Sequence, residues 1–497
     1  MKRALLALAL AAAPAFGAGL AERIHDLIDS SPAARTAFWG IQVVDLETGR
    51  TVYELNPTHY FVPASNTKLF TTAMALTRLG PDHTFATRVL AAAPPDAGGL
   101  IAGGLRLAGG GDPNLSARAI PYRMGPQEGN PLAAIEDLAD QLVKRGVRRV
   151  EGGITGDDTW YVWQPYAVGW AVDDPESDDG PPVSALTLTD NVLTLNIAPG
   201  ASVGEPAALT LTPASEFYRI ENRVRTVAVG GERRIRFKRI PGSRFAQLWG
   251  AIPLRDRGES MLISVEDPAE YAARALKTAL EDRGVTVAGG VAVKHLYPDE
   301  VADLAQGPSA GPAPGLELAR RDSAPLVEDL RITDKVSQNL HAEMALRAVA
   351  RARRGVGSFE AGREEMRAFL SDAGVDANAF HFMDGSGLSR LNLVTPAAVV
   401  QLLKYMYAGP HRETWISLLP VGGQDGSLSS RFGQTPAAGR VHAKTGSLSH
   451  VAALSGYIER EGGAWAAFSI LANNFAGPAG EVRGVMDRIC NLIWEKE

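Results

Sequence analysis

The chain has 497 residues, with 50 Lys and Arg against 56 Asp and Glu, and a formal net charge of −6. It has neither a basic excess nor a basic block, so nucleic acid is excluded as an expected partner. A chain of this length divides into several domains, because single cores stop growing beyond roughly 250 to 300 residues. The single cysteine, Cys490, has no intrachain partner. Stability must therefore come from packed cores.

The first 18 residues are typical of a secretory signal peptide. Lys2 and Arg3 precede an apolar run at 4–13, and small residues follow it up to residue 18. This run is too short to span a membrane, and no later stretch reaches roughly 18 uninterrupted apolar residues. We therefore predict an exported protein of the periplasm, cleaved near Gly17 or Ala18, with no transmembrane segment.

Strand patterns occur near both ends of the mature chain. Alternating residues at 39–44 and 51–53 predict one hairpin, and residues 451–458 and 464–471 predict a second. Two such hairpins can share one antiparallel sheet. The final segment has an apolar stripe at helical spacing, with few Lys or Arg on its polar face. We therefore favour a core helix that packs on the sheet over a membrane-surface anchor. The residues of the stripe are Val482, Val485, Met486, Ile489, Leu492 and Ile493.

The middle of the chain has a different pattern. Residues 132–145 and 268–283 are both amphipathic helical segments that lead through a glycine into a predicted strand. Between them, residues 207–249 contain short alternating stretches that favour small β domains. The Pro-, Ala- and Gly-rich stretch 298–315 predicts a linker or a long surface connection.

The first motif of chemical interest is Ser65-Asn66-Thr67-Lys68. An apolar pattern of helical period follows it, so Ser65 is predicted near the start of a buried helix with Lys68 one turn later on the same face. A serine hydroxyl needs a base, and a lysine acts as one only where burial or nearby positive charge lowers its pKa. Lys444 is a candidate for that second cation. The alternative is a capping serine and a surface lysine, since a long chain contains such a tetrapeptide by chance.

The second motif is Ser337-Gln338-Asn339, which precedes another helical pattern. We predict that the Ser337 hydroxyl relays a proton to the leaving amine and that the Asn339 amide holds the substrate's peptide group. An ordinary helix entry capped by Ser337 is the competing interpretation.

The third motif, Lys444-Thr445-Gly446-Ser447, introduces a strand. Lys444 and the hydroxyls of Thr445 and Ser447 are suited to bind a terminal carboxylate, and Gly446 lets a substrate backbone approach. An exposed edge here would pair with a bound peptide, and a backbone N–H near Ser447 would join that of Ser65 as an oxyanion hole. Alone, the motif also fits a turn before a strand.

The order of the three motifs is that of penicillin-sensitive acyl-enzymes. The stretch between the first and second motifs is more than twice as long as the one between the second and third. If all three meet in one cleft, residues 89–305 are largely an insertion into a catalytic domain built from 19–88 and 306–497. We expect the insertion to be an outer αβ unit with a nested, mainly β domain at about 190–262.

On these motifs the chain resembles the penicillin-binding protein 4 type of D-alanyl-D-alanine carboxypeptidase and endopeptidase, the class C low-molecular-mass group of serine peptidase family S13. The likeness covers nearly the whole mature chain and includes further matching segments at 109–113, 156–161, 184–186, 384–389 and 419–426. It implies a multidomain α+β fold. The catalytic domain would be β-lactamase/transpeptidase-like, an antiparallel sheet with helices, and two smaller domains would be inserted between the first and second motifs.

The resemblance also implies an activity. Ser65 would be acylated and Lys68 would activate it, with Ser337, Asn339, Lys444 and Thr445 in the roles given above. The substrates would be peptidoglycan muropeptides, cleaved at D-alanyl-D-alanine and at D-alanyl-diaminopimelate cross-links, and β-lactam antibiotics would inhibit. By the same resemblance Asp157 would bind the free ammonium of the diaminopimelate side chain, whereas an exposed turn is the plainer interpretation.

Two competing functions share parts of this pattern. A β-lactamase has the same motifs but is expected to be compact, and a non-catalytic peptidoglycan-binding protein would keep an unused cleft. The second motif departs mildly from the group, because Gln338 stands where Asp or Asn is common; its side chain is not expected to face the substrate. His341-Ala342-Glu343 is similar to the H-x-E of zinc deaminases, but no Pro-Cys-x-x-Cys follows. We predict no metal and no cofactor, and the oligomeric state is left open.

Overall fold

The structure is a computed structural model that describes residues 19–125, 129–240, 242–308 and 314–495. The predicted signal peptide, residues 1–18, lies outside the described residues, as do residues 309–313 of the predicted linker. No helix within the described ranges is long and apolar enough to cross a membrane.

The described residues form ten α-helices and twenty-one strands. The helices are α1 (Leu20–Asp29), α2 (Thr67–Leu79), α3 (Ala133–Lys144), α4 (Pro268–Glu281), α5 (Leu326–Lys335), α6 (Asn339–Arg354), α7 (Phe359–Asp372), α8 (Pro396–Ala408), α9 (Arg412–Leu418) and α10 (Ala479–Trp494). The strands are β1 (Phe38–Asp45), β2 (Thr51–Leu55), β3 (Ala86–Ala91), β4 (Leu100–Ile101), β5 (Leu105–Ala108), β6 (Arg149–Val150), β7 (Ile154–Val162), β8 (Val192–Ala198), β9 (Ala208–Thr212), β10 (Arg219–Val227), β11 (Arg234–Arg239), β12 (Phe245–Pro253), β13 (Glu259–Ser264), β14 (Thr286–Val287), β15 (Val291–Leu296), β16 (Leu316–Asp322), β17 (Phe380–His381), β18 (Leu393–Val394), β19 (Val441–Leu448), β20 (Val451–Glu459) and β21 (Trp465–Asn473).

Both ends of the chain build one five-stranded antiparallel sheet, in the order β19-β20-β21-β1-β2. The two predicted hairpins are confirmed as β1–β2 and β20–β21, and they share this sheet because β21 pairs with β1. The middle strands are apolar on both sides, since each face is covered by helices. On β20, Leu454 packs into the core that contains α10, whereas Tyr457 packs into the core that contains α8.

The last helix is a core helix, as predicted. Five of the six residues of its apolar stripe are fully buried, and these are Val482, Val485, Met486, Ile489 and Ile493. They share one core with β1, β20 and β21. The stripe is therefore used by the sheet rather than presented to a membrane surface.

A second five-stranded sheet, in the order β15-β7-β5-β3-β16, lies in the part of the chain between the first two motifs. The two predicted amphipathic helices are confirmed as α3 and α4. Each leads into a short strand and then a longer one, and these pair in parallel as β6 with β14 and β7 with β15. The two helix–strand units therefore lie side by side, and α3 contacts α4.

The domain boundaries at 88/89 and 305/306 stay a prediction, but the sheet pattern bears on them. β3 contains residues 88 and 89, and β16 begins after residue 305, yet the two strands pair with each other in the second sheet. The chain thus enters this sheet through β3 and leaves it through β16. Between them, residues 192–264 hold two three-stranded sheets, β13-β8-β9 and β10-β12-β11, where small β domains are predicted.

The buried Tyr457 hydroxyl links the first sheet to its covering helices, which gives a stability test. It donates to the Leu403 carbonyl at 2.7 Å and accepts from Trp415 Nε1 at 2.9 Å. Tyr457→Phe leaves both partners unpaired and is expected to cost about 1–3 kcal/mol, measured as a lower unfolding midpoint. Tyr53→Phe is the matched control, because the buried Tyr53 hydroxyl has no hydrogen-bond partner among the described residues. Equal effects of the two substitutions would contradict this account.

Candidate active site

Ser65 lies in a single 3₁₀ turn, Ala64–Asn66, that leads directly into α2. Ala64 has a positive φ of 48°, and the loop at 384–389 presses against it. A Cβ at Gly387, where φ is +86°, would lie 1.9 Å from the Ala64 carbonyl oxygen, so glycine is required there. On the other side, Asn66 Nδ2 donates to the Lys444 carbonyl at 2.9 Å. The turn is therefore held between this loop and β19.

Lys68 is fully buried on α2 and is bound to three acceptors. Its Nζ donates to Ser65 Oγ at 3.0 Å, to Asn339 Oδ1 at 2.5 Å and to the Ser386 carbonyl at 2.6 Å. Burial lowers the pKa of Lys68 well below its usual value, and the charge of Lys444 acts in the same direction. A lysine with a depressed pKa, in contact with a serine hydroxyl, is suited to remove its proton.

Lys444 is a second fully buried lysine, and it is bound to Ser337. Its Nζ donates to Ser337 Oγ at 2.8 Å and to the Thr445 carbonyl at 3.0 Å. Burial lowers the pKa of Lys444 to about 8, against the opposing charge of Asp334. Ser337 has a positive φ of 64° at the bend before α6, and this bend brings its hydroxyl to the lysine. The site thus contains two serine–lysine pairs.

The strand of the third motif, β19, lies at one edge of the first sheet, directly beside the Ser65 turn. A Cβ on Gly446 would lie 2.7 Å from the Pro63 carbonyl oxygen and 3.2 Å from Ser65 N. The missing side chain therefore lets the strand pack against the backbone of the Ser65 turn. Thr445 Oγ1 lies 2.7 Å from Ser427 Oγ, and Ser447 is exposed. An edge strand in this place leaves room for the predicted pairing with a bound peptide.

The structure joins five of the predicted site residues by hydrogen bonds and puts three more on the same strand. Lys68 connects Ser65 with Asn339, and Lys444 connects with Ser337. Thr445, Gly446 and Ser447 follow Lys444 on β19. Their individual roles in substrate binding and catalysis stay predictions.

Asp157 does not lie with these residues. It is buried on β7, accepts from the Thr159 hydroxyl at 2.6 Å and lies 3.6 Å from Arg106 Nη1. It lines a cavity of about 590 Å³ that contains no motif residue and has five basic side chains, Arg88, Arg106, Lys294, Arg320 and Arg351. The five cations outnumber the two carboxylates of the lining, Asp157 and Asp322, which disfavours an ammonium ligand. Among the residues that the structure describes, no contact joins Asp157 to the three motifs, and its predicted role stays a prediction.

An acidic segment does lie beside the motif residues. It runs from 173 to 179, and its Asp179 carbonyl accepts a hydrogen bond from Asn339 Nδ2 at 2.7 Å. Just before it, Trp170 Nε1 donates to Asp384 at 2.9 Å. This stretch, which lies between the first two motifs in the sequence, therefore contacts both Asn339 and the 384–389 loop.

The 384–389 loop also belongs to the site, although no role is predicted for it; its signal in the sequence is the turn-forming run Asp384-Gly385-Ser386-Gly387. In the structure the loop supplies the Ser386 carbonyl that binds Lys68. Glu343 on α6 holds the loop in place, because Oε1 accepts from the backbone N–H groups of Gly385 and Ser386 at 2.7 and 2.8 Å and Oε2 accepts from Arg347 at 3.0 Å. The loop and Glu343 therefore fix the third acceptor of the lysine.

A buried charged cluster lies directly behind the second motif. His341 Nε2 is 3.2 Å from Asp190 Oδ1, and its Nδ1 is 2.7 Å from Asp329 Oδ1. Arg118 also pairs with Asp190. Gln338 Oε1 accepts from the Leu340 N–H at 2.9 Å, and its amide donates to Asp190 at 3.4 Å. The Gln338 side chain thus contacts the inserted region and caps α6, and His341 and Glu343 serve separate ion pairs.

These features define a class of protein. A serine bound to a buried lysine of depressed pKa, a second serine–lysine pair and a neighbouring edge strand form a serine acyl-transfer site. It is carried by a multidomain α+β fold whose large insertion separates the first two motifs.

Comparison with known proteins gives the family. Residues 20–491 match the D-Ala-D-Ala carboxypeptidase 3 (S13) family. A D-alanyl-D-alanine carboxypeptidase of Actinomadura sp. strain R39 is 36% identical over 489 residues, which cover 96% of this chain and 85% of the relative. The D-alanyl-D-alanine carboxypeptidase DacB of Haemophilus influenzae is 24% identical over 91% of this chain and 88% of its own length. The chain belongs to the D-Ala-D-Ala carboxypeptidase 3 (S13) family.

A solved structure confirms the predicted fold class. Penicillin-binding protein 4 (dacB) from Haemophilus influenzae superposes with a TM-score of 0.79 at 22% identity, covering 95% of this chain and 99% of that one. The same protein complexed with a novel β-lactam gives a TM-score of 0.74 at 21% identity, covering 95% and 98%. The predicted multidomain α+β fold with a β-lactamase/transpeptidase-like catalytic domain is therefore correct.

The cluster behind the second motif predicts a pH-dependent stability. Burial lowers the pKa of His341, but Asp329 and Asp190 outweigh burial and raise it from 6.5 to about 9. The folded state thus holds this proton more tightly than the unfolded chain does. The resulting stabilisation, about 3 kcal/mol, is complete below pH 6.5 and is lost as the pH rises through about 9.

We therefore expect His341→Asn to lower the unfolding midpoint most at pH 6, with the difference from wild type shrinking towards pH 9.5. Thermal unfolding across this range measures it. His381→Asn, in the exposed part of β17, is the matched control and should leave the midpoint unchanged throughout. A difference that stays constant with pH would show that His341 contributes packing alone.

Proposed function

We propose that this protein is a serine-type D-alanyl-D-alanine carboxypeptidase that acts on peptidoglycan muropeptides through an acyl-enzyme on Ser65. The observation that carries the proposal is the contact between Lys68 Nζ and Ser65 Oγ at 3.0 Å, made by a buried lysine whose pKa is depressed. Membership of the S13 family supports the substrate class.

Acylation begins with substrate binding along β19. The terminal carboxylate of the substrate binds Lys444 and the Thr445 hydroxyl, and the Asn339 amide holds the peptide group. Neutral Lys68 removes the Ser65 proton, and Ser65 Oγ attacks the carbonyl carbon of the penultimate D-alanine. The N–H groups of Ser65 and Ser447 stabilise the oxyanion that forms.

The tetrahedral intermediate then collapses. The C–N bond breaks, and the Ser337 hydroxyl, bound to the Lys444 ammonium at 2.8 Å, passes its proton to the departing amine of D-alanine. Ser337 takes up in turn the proton that Lys68 had removed from Ser65, so Lys68 is neutral again. Ser65 remains as an ester of the shortened peptide. Water hydrolyses the ester with Lys68 as base, and Ser65 recovers its proton.

The same chemistry extends to two further reactions. A D-alanyl-diaminopimelate cross-link presents the same acyl group with a larger leaving amine, so we propose endopeptidase activity as well. A β-lactam is a strained amide that Ser65 opens to an ester without losing a leaving group, which makes it an inhibitor when hydrolysis of the ester is slow. The β-lactam complex of the Haemophilus influenzae penicillin-binding protein supports this part of the proposal.

The other functions fit less well. A compact β-lactamase has no use for the large insertion, whose residue Asp179 contacts Asn339 at the site. A non-catalytic binding protein has no need of two buried lysines, each bound to a serine hydroxyl. Peptidoglycan as substrate agrees with the predicted export to the periplasm.

Release of D-alanine from a pentapeptide muropeptide tests the proposal. The wild type is expected to release it, and Ser65→Ala and Lys68→Met are each expected to lose at least about 10³-fold in kcat/KM, because nucleophile and base act as a unit. Ser30→Ala on the exposed end of α1 and Lys277→Met on α4 are the matched controls and should keep full activity. Undiminished release by Ser65→Ala would overturn the proposal.

A further inference from the structure

One buried carboxylate near the active site has no hydrogen-bond partner. Asp334 is fully buried on α5, and neither carboxylate oxygen accepts a hydrogen bond from a described residue. A candidate donor, the Thr72 hydroxyl, gives its proton to the Lys68 carbonyl at 2.7 Å instead. Buried carboxylates without partners are rare, because burial penalises the charged form. Asp334 therefore needs a functional explanation.

The other two carboxylates that act on Lys68 are fully engaged elsewhere. The Glu343 carboxylate accepts hydrogen bonds from two backbone N–H groups and from the Arg347 guanidinium. The Asp384 carboxylate accepts five hydrogen bonds, one from Trp170 and four from nearby residues of its own segment. These four donors are Ser386, Gly387, Ser389 and Asn392. Asp334 is the one of the three carboxylates with both oxygens uncommitted.

Lysines supply the charges that act on Asp334. Lys444 has the strongest effect, and Lys68 and Lys335 follow. Lys335 has its own carboxylate, Asp425, at 2.6 Å. Lys68 and Lys444 have no ion pair in the described part of the chain. The helix that carries Asp334, α5, packs against α2, which carries Lys68. Asp334 is therefore a buried carboxylate on a helix that borders the site, and the charges of both site lysines act on it.

We propose that Asp334 is a positioning residue, the buried counter-charge that keeps Lys444 protonated while Lys68 gives up its proton. This inference rests on the proposed acylation of Ser65. Lys444 must stay positive to bind the substrate carboxylate and to support Ser337, whereas Lys68 must be neutral to act as base. Asp334 interacts more strongly with Lys444 than with Lys68, so its negative charge favours protonated Lys444 over protonated Lys68.

The titration behaviour agrees with this geometry. Burial raises the pKa of Asp334 to about 7, against the opposing charge of Lys444. Burial lowers the pKa of Lys444 to about 8, and Asp334 is the charged group that opposes this. Above pH 7 the ionised Asp334 thus extends the pH range in which Lys444 stays charged. The charges of Asp384 and Glu343 also act on Lys68, and each has a larger effect than Asp334, so the pKa of Lys68 depends less on Asp334.

The test is the rate at which a fluorescent penicillin acylates Ser65, followed from about pH 5 to pH 10. In Asp334→Asn the alkaline limb of the profile is expected to move about one pH unit lower, because removing the negative charge that acts on a buried ammonium lowers the pKa of that ammonium. Below pH 6 the variant should stay within a few-fold of wild type, where Asp334 is already protonated.

Asp158→Asn is the matched control. Asp158 is also a buried aspartate whose pKa is raised by burial, but its charged neighbours are His295 and Asp267 rather than the lysines. It should keep the wild-type profile. Asp334→Leu is the second variant in case Asp334→Asn does not fold, since leucine leaves no unpaired polar group in the core. We expect its alkaline limb to move to lower pH by the same amount.

Two outcomes would overturn the inference in distinguishable ways. If the wild type is acylated and the Asp334 variants lose rate equally at every pH, or lose none, Asp334 has no electrostatic role and the proposed function stands. If the wild type itself is not acylated at any pH, the proposed function fails and this inference fails with it.

Discussion

The burial of two lysine amino groups in one site is the constraint on which the other features of the site depend. Lys68 and Lys444 are both fully buried, and each is bound to a serine hydroxyl. Charging two amines close together away from water is costly, so one of them is disposed to be neutral at neutral pH. Burial thus lowers the pKa of Lys68, as the proposed mechanism requires of a base for Ser65, and the surrounding carboxylates oppose this lowering in both lysines.

The fold supplies this arrangement from distant parts of the chain. Lys68 comes from α2 near the start, the second motif from the beginning of α6, and Lys444 from β19 near the end. The sheet built from both chain ends holds β19 beside the Ser65 turn, and Gly446 permits the close approach. The inserted region also contributes to the site, because its 163–190 stretch contacts Asn339, Asp384 and His341.

Features that depend on local pattern could be predicted from the sequence. The hairpins and α10 follow from apolar periodicity, and the site residues follow from three motifs whose order indicates the class of enzyme. Features set by long-range packing could not be predicted from the sequence. Nothing in the sequence shows that β16 pairs with β3, that Arg88 and Arg106 line one cavity with Asp157, or that the charges of Lys444 and Lys68 act on Asp334. Periodicity gives the face of an element that is buried but not its neighbours.

The central claim is that Ser65, activated by Lys68, forms a covalent acyl-enzyme. Peptide mass spectrometry of the mature protein after brief exposure to benzylpenicillin tests it most directly. The account predicts that the peptide containing Ser65 gains the full mass of the drug in the wild type and gains none in Lys68→Met. Unmodified Ser65 with the drug recovered intact, or an adduct on a different residue, would contradict it.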